Sequence, residues 1–110
     1  MYKATTPNHT FTLPTDTSEF SILRIIYKQV SECGKTVKLI KEYKNGTAAP
    51  GMSLDEDIVI IKLTQQETLL FNEGKVSVQV RGLTTGGDVV DSQIDGVSVV
   101  EALDEDILEV

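Results

Sequence analysis

Two side chains of this sequence are of the types that form a nucleophilic pair: His9 and Cys33, each of which occurs once. A thiolate activated by an imidazole is a good nucleophile, and its two partners can lie far apart in sequence. The other parts of a nucleophilic site leave no recognisable trace in the chain. The sequence therefore predicts no catalytic residue, and we expect a protein that is not an enzyme. Because Cys33 is alone, the chain can form neither an internal disulfide nor a metal site made only of cysteines.

Carboxylates occur in two runs, at residues 55–57 and 104–106, and hard cations such as calcium bind several oxygens. Consecutive acids on a strand point to alternate sides, however, and neither run has the spaced pattern of a calcium-binding loop. We interpret both runs as solvated acidic surface. The glycine-rich GLTTGG at residues 82–87 opens no helix and joins two predicted strands, so it predicts a hairpin turn without a phosphate site. We expect no metal and no cofactor.

The charge and the composition exclude several classes of partner. The 110 residues carry a net charge of -7 with only ten Lys and Arg, which argues against binding to nucleic acid or to an anionic membrane. No apolar run approaches the ~20 residues that span a bilayer, and we expect synthesis and folding in a cytoplasm. Aromatic residues are scarce, so Val, Ile and Leu must build the core, and they favour strands.

Alternation of apolar and polar residues predicts about seven strands. Thr64 and Glu67 have the spacing of a capping box, which predicts a short helical turn near residues 64–71. In the last predicted strands the apolar residues change from even positions, at Val90 and Ile94, to odd positions, at Val97 and Val99. This change predicts a bulge at Gly96. Ile22 and Ile26 fall on the polar side of their strand; either another chain covers that face or they are ordinary exposed aliphatics. The predicted strands lie near residues 9–13, 20–30, 36–43, 57–63, 75–84, 88–94 and 96–101, and the last two form one bent strand in an alternative interpretation.

We predict one β-sandwich domain at residues 9–102, with a flexible N-terminal arm at 1–8 and an acidic C-terminal tail at 103–110. The long connection at residues 44–56 is interpreted as a crossover between sheets, with a binding loop as the alternative. A helical turn followed by a long strand and a hairpin resembles the E–F corner and F–G hairpin of immunoglobulin-like and fibronectin type III domains. The disulfide and core Trp of antibody domains are absent. The alternative architecture is a single helix packed on an open sheet.

The phrases HTFTLPTDTSEF, LRIIYKQ, IKLTQQETLLF and KVSVQVRGLTTGGDVVDSQI resemble small prophage structural proteins of Gram-positive bacteria. The order of elements is also similar to the immunoglobulin-like N-terminal modules of phage baseplate and tail proteins. The resemblance implies a virion structural or assembly protein that contacts other virion proteins or copies of itself, and hence a place in the virion. Gln79 and Arg81 on the outer side of their strand, and Tyr43 beside the long loop, are the candidate contact residues. The alternative function is a carbohydrate or cell-surface ligand binding module that uses this loop and the hairpin.

Overall fold

The structure, a computed structural model, describes residues 1, 5–30, 34–72 and 74–99, with only the backbone for residues 92–99. These residues form an all-β sandwich of two antiparallel sheets, as predicted, with one short helix and one 3-10 turn at Thr17–Glu19. The strands are β1 (Asn8–Thr12), β2 (Phe20–Val30), β3 (Thr36–Lys44), β4 (Thr47–Ala48), β5 (Met52–Asp55), β6 (Ile58–Lys62), β7 (Gly74–Thr84) and β8 (Val89–Val99). The helix α1 (Gln65–Leu69) has five residues, and no described helix is long and apolar enough to cross a membrane.

Among the described residues, the strand order is that of a variable-type immunoglobulin sandwich without its first strand. One sheet has the order β1-β6-β5, and the other has the order β4-β3-β2-β7-β8. In immunoglobulin lettering these are B-E-D and C″-C′-C-F-G. The helix α1 lies between the E and F strands, where the sequence predicted a helical turn.

The predicted connection at residues 44–56 contains two short strands, β4 and β5, that the sequence prediction missed. The chain leaves the five-stranded sheet after Ala48 and joins the three-stranded sheet at Met52, so the predicted crossover is confirmed. Gly51 permits this transition, because its φ is +80° and a Cβ there would clash with the carbonyl oxygen of Lys62. The sequence pattern did not indicate these strands, because they are only two and four residues long and lie among turn residues.

The core lies between the sheets and consists of alternate residues of the long strands. The prediction that Val76, Val78 and Val80 share one buried face is confirmed, and the residues between them are exposed. Each fully buried aliphatic side chain of this kind contributes roughly 1.5–3 kcal/mol. The buried apolar residues are Phe11, Leu13, Phe20, Leu23, Ile25, Tyr27, Met52, Val59, Ile61, Leu63, Phe71, Val76, Val78 and Val80.

The capping box at the start of α1 is confirmed. The Thr64 hydroxyl accepts a hydrogen bond from the Glu67 amide at 3.1 Å, and the Glu67 carboxylate accepts one from the Thr64 amide at 2.9 Å. The helix ends at Leu69, with Leu70 as its C-cap, and is shorter than predicted. The side chain of the buried Gln29 holds the chain shortly after the helix, at Asn72. Its amide donates to the Asn72 carbonyl at 2.8 Å, and its oxygen accepts from the Asn72 amide at 2.7 Å.

The β7–β8 hairpin contains the predicted bulge. Val76 pairs with Val97 and Val78 pairs with Ile94, so β8 has one extra residue between these pairs, at Asp95 and Gly96. The predicted bulge at Gly96 is therefore confirmed.

Candidate interaction face

Alternation along β2, β3 and β7 gives the five-stranded sheet a surface that points away from the core, which we call the outer face. We define the outer face by the outward residues of these three strands. They are Ile22, Arg24, Ile26, Lys28 and Val30 of β2, Thr36, Lys38, Ile40, Glu42 and Lys44 of β3, and Lys75, Ser77, Gln79, Arg81 and Leu83 of β7.

Aliphatic side chains occupy the middle of the outer face. Ile26 and Ile40 are directly opposite each other across β2 and β3, and Gln79 is opposite Ile26 on the other side. Ile40 is 43% exposed, whereas Ile26 is half-buried. A partly exposed aliphatic pair with polar neighbours has the composition of the centre of a protein–protein interface.

Two exposed ion pairs lie beside the aliphatic pair. Arg24 pairs with Glu42 on β3, and Nε of Arg81 lies 3.1 Å from a carboxylate oxygen of Asp91 on β8. Arg24 and Arg81 are themselves opposite each other across β2 and β7. Each exposed pair contributes about 0–1 kcal/mol, so their main effect is to orient the two guanidinium groups.

A shallow depression of about 340 Å³ lies next to the aliphatic pair. Lys28 and Lys38 line it and are directly opposite each other across β2 and β3, a placement that like charges disfavour. Within the described part of the chain, neither ammonium group forms an ion pair. The depression is therefore electropositive and is also lined by Ile26 and Arg81.

The structure brings two of the three predicted contact residues together. Gln79 and Arg81 both lie on the outer face and line the depression. Tyr43 has the opposite parity in β3; it is half-buried and packs against the core. Its role in ligand binding, like the carbohydrate-binding alternative, stays a prediction. Sequence reasoning did not select Ile40, although its outward parity follows from the same alternation.

His9 has a partner that the sequence did not indicate. Its Nδ1 lies 2.8 Å from the hydroxyl of Tyr27, which is fully buried. Burial, with a smaller effect of the N-terminal charge, lowers the pKa of His9, so the neutral imidazole can accept the hydroxyl proton in a hydrogen bond. Burial, with the negative charge of Glu67, raises the pKa of Tyr27. The pair joins β1 to β2 across the core; Cys33 lies outside the described residues.

Lys41 forms an ion pair on the core side of the five-stranded sheet. Its Nζ lies 2.6 Å from a carboxylate oxygen of Glu67 in α1, and it donates to the carbonyl of Pro50 at 3.1 Å. The side chains of Lys41 and Glu67 are only 8% and 17% exposed. Burial alone would raise the pKa of Glu67, but hydrogen bonds from Lys41 and the Thr64 amide outweigh it and hold that pKa below its ordinary value. This pair fastens α1 to β3.

The described residues contain no group of three or more His, Cys, Asp or Glu side chains that could hold a metal ion. Of the two acidic runs, residues 55–57 end β5 and turn into β6, with Glu56 at a φ of 50°. Residues 104–106 lie outside the described part of the chain. The GLTTGG segment ends β7 and continues into the turn between β7 and β8, as predicted.

Comparison with known proteins adds no family to these observations. No protein-family model matches the chain, and no curated protein matches it significantly.

Proposed function

We propose that this chain is a non-enzymatic structural or assembly protein of a phage or prophage virion, associated with the baseplate or tail, which acts through its outer face. Its partner is another virion protein or a second copy of the chain. The sequence resemblance to prophage structural proteins motivates the phage assignment. The observation that carries the interaction is the partly exposed Ile26–Ile40 pair, which lies beside two ion pairs and next to the cationic depression.

The composition of the outer face supports a protein partner. Apolar side chains at the centre of an interface contribute most of the association energy, and charged groups around them select the partner and its orientation. Here Ile26 and Ile40 supply the centre, and Arg24 and Arg81 lie immediately beside them. A partner that covers the aliphatic pair can also accept hydrogen bonds from Gln79.

Size-exclusion chromatography with light scattering tests the proposal, on the protein alone and mixed with each protein from the neighbouring virion genes. We expect self-association or a defined complex. Ile40→Asp places a charge at the centre of the outer face and should weaken association at least about tenfold. Ile60→Asp is the matched control, because Ile60 is a similarly exposed isoleucine on the three-stranded sheet.

A chain that stays monomeric at all concentrations and binds none of these virion proteins would contradict the proposal. Equal loss of association in the Ile40→Asp and Ile60→Asp variants would also count against the outer face. Circular dichroism of both variants must first show the β spectrum of the parent protein, so that loss of binding is separated from loss of folding.

A further inference from the structure

The outer face has a charge opposite to that of the whole chain. The chain has a net charge of -7, but six of its ten Lys and Arg residues are outward residues of this face. The described carboxylates around them are Glu42 and Asp91, and both already pair with arginines. The lysines that remain favour an acidic ligand.

The depression further specifies this ligand. Lys28 and Lys38 face each other and have no carboxylate partner among the described residues. An acidic group between the two ammonium groups would relieve their repulsion. Ile26 and Ile40 are the next outward residues after Lys28 and Lys38 on the same two strands. The complementary ligand is therefore a peptide in which aliphatic residues follow the acids.

The C-terminal segment of this chain has that composition. It reads EALDEDILEV over residues 101–110, with three consecutive acids at 104–106 followed by Ile107 and Leu108. These residues lie outside the described part of the chain. We propose that this segment docks on the outer face of its own chain, with the acids at 104–106 over Lys28 and Lys38 and the aliphatic residues over Ile26 and Ile40.

The end of β8 lies within reach of the depression. Ser77 of β7 pairs with Lys28, which pairs with Lys38, so these three residues form one row across the sheet. Val99 pairs with Gly74, which lies at the end of β7 nearest to this row. Strand spacings of about 4.8 Å and rises of about 3.3 Å per residue put the Lys28 backbone about 14 Å from Val99. Lys38, one strand further, is about 18 Å away. The five residues from Val99 to Asp104 span at most about 17 Å, which covers the distance to Lys28. The seven residues to Asp106 span at most about 24 Å, so the acids can lie over both lysines.

Docking would cover the surface that the proposed virion partner uses. The segment and that partner would then compete, and binding of the partner would release the segment. Only this competition rests on the proposed function. Docking is a property of the isolated chain and is tested on it.

Amide chemical shifts of the full chain test the docking directly. In the Asp104→Asn/Glu105→Gln/Asp106→Asn variant, we expect shift changes at Lys28, Lys38 and neighbouring residues of β2, β3 and β7, compared with the parent chain. These changes should be independent of protein concentration, because the contact is within one molecule. Shifts identical to those of the parent chain at these positions would overturn the proposal, and concentration-dependent changes would assign the contact to a second copy instead.

A peptide of residues 101–110, added to the full chain that carries Asp104→Asn/Glu105→Gln/Asp106→Asn, gives the affinity. We expect saturable binding that reverses the shift changes caused by these three substitutions and weakens with added salt. Lys28→Glu should reduce the affinity about tenfold or more. Lys62→Glu changes the net charge equally on the other sheet and should change the affinity less than about twofold. An equal effect of the two substitutions would refute docking at the depression.

Discussion

Replacing Glu67 by Gln separates the charge of the buried Lys41–Glu67 pair from its hydrogen bonds. Gln has the same shape, so its oxygen can still accept from the Thr64 amide and preserve the capping box. Its amide nitrogen would then face the ammonium group of Lys41, which is buried and would retain only the Pro50 carbonyl as a partner. A cation left in the interior without its counter-charge is strongly destabilising.

The expected loss follows from the burial of the pair. Removing one partner of a fully buried ion pair costs roughly 3–5 kcal/mol. Glu67 is 17% exposed and Lys41 keeps the Pro50 carbonyl, so we expect about 2–3 kcal/mol for Glu67→Gln. For a domain of this size that loss lowers Tm by about 10 °C. Lys41→Met/Glu67→Gln leaves no buried charge and should be more stable than Glu67→Gln alone.

Urea unfolding followed by circular dichroism measures these free energies of unfolding. The pKa of Glu67 is lower in the folded state, so its contribution is present above the ordinary value of 4.5 and is lost as the pH falls through the folded value. The difference between the parent and Glu67→Gln should therefore narrow in acid. A loss below about 0.5 kcal/mol at pH 7, or a double variant less stable than Glu67→Gln, would refute this account of the pair.

Two further substitutions test the core and the His9–Tyr27 pair. Gly82→Ala would place a Cβ 2.7 Å from ring carbons of Phe20 and should lower the free energy of unfolding by about 1–3 kcal/mol, whereas the control Gly86→Ala meets nothing closer than 3.8 Å. Equal stability of these two variants in urea unfolding would show that the Phe20 ring yields without cost. The pKa of His9 is lowered in the folded state, so its contribution is present above the ordinary value of 6.5 and is lost as the pH falls through the folded value. Thermal unfolding from pH 7 to 5 should therefore show a decrease in Tm in the parent that is smaller in His9→Gln; parallel decreases would count against the burial of a neutral His9 in the folded state.

Local patterns in the sequence were sufficient for the long elements of the fold. Val76, Val78 and Val80 alternate with polar residues because one side of their strand faces the core. The capping box depends on residues three apart, and the bulge at Gly96 appears as a change of parity. Each of these features is visible within a few neighbouring residues.

Tertiary pairing decided the rest. Strand β5 has four residues and depends on β6 for its hydrogen bonds, so no local pattern could reveal it. The partners Lys41 and Glu67 lie on different elements, β3 and α1, and only the folded chain brings their side chains together. Alternation alone placed Gln79 and Arg81 on an outward side. Their neighbours there depend on the register between strands far apart in sequence, because only the folded sheet brings those residues together.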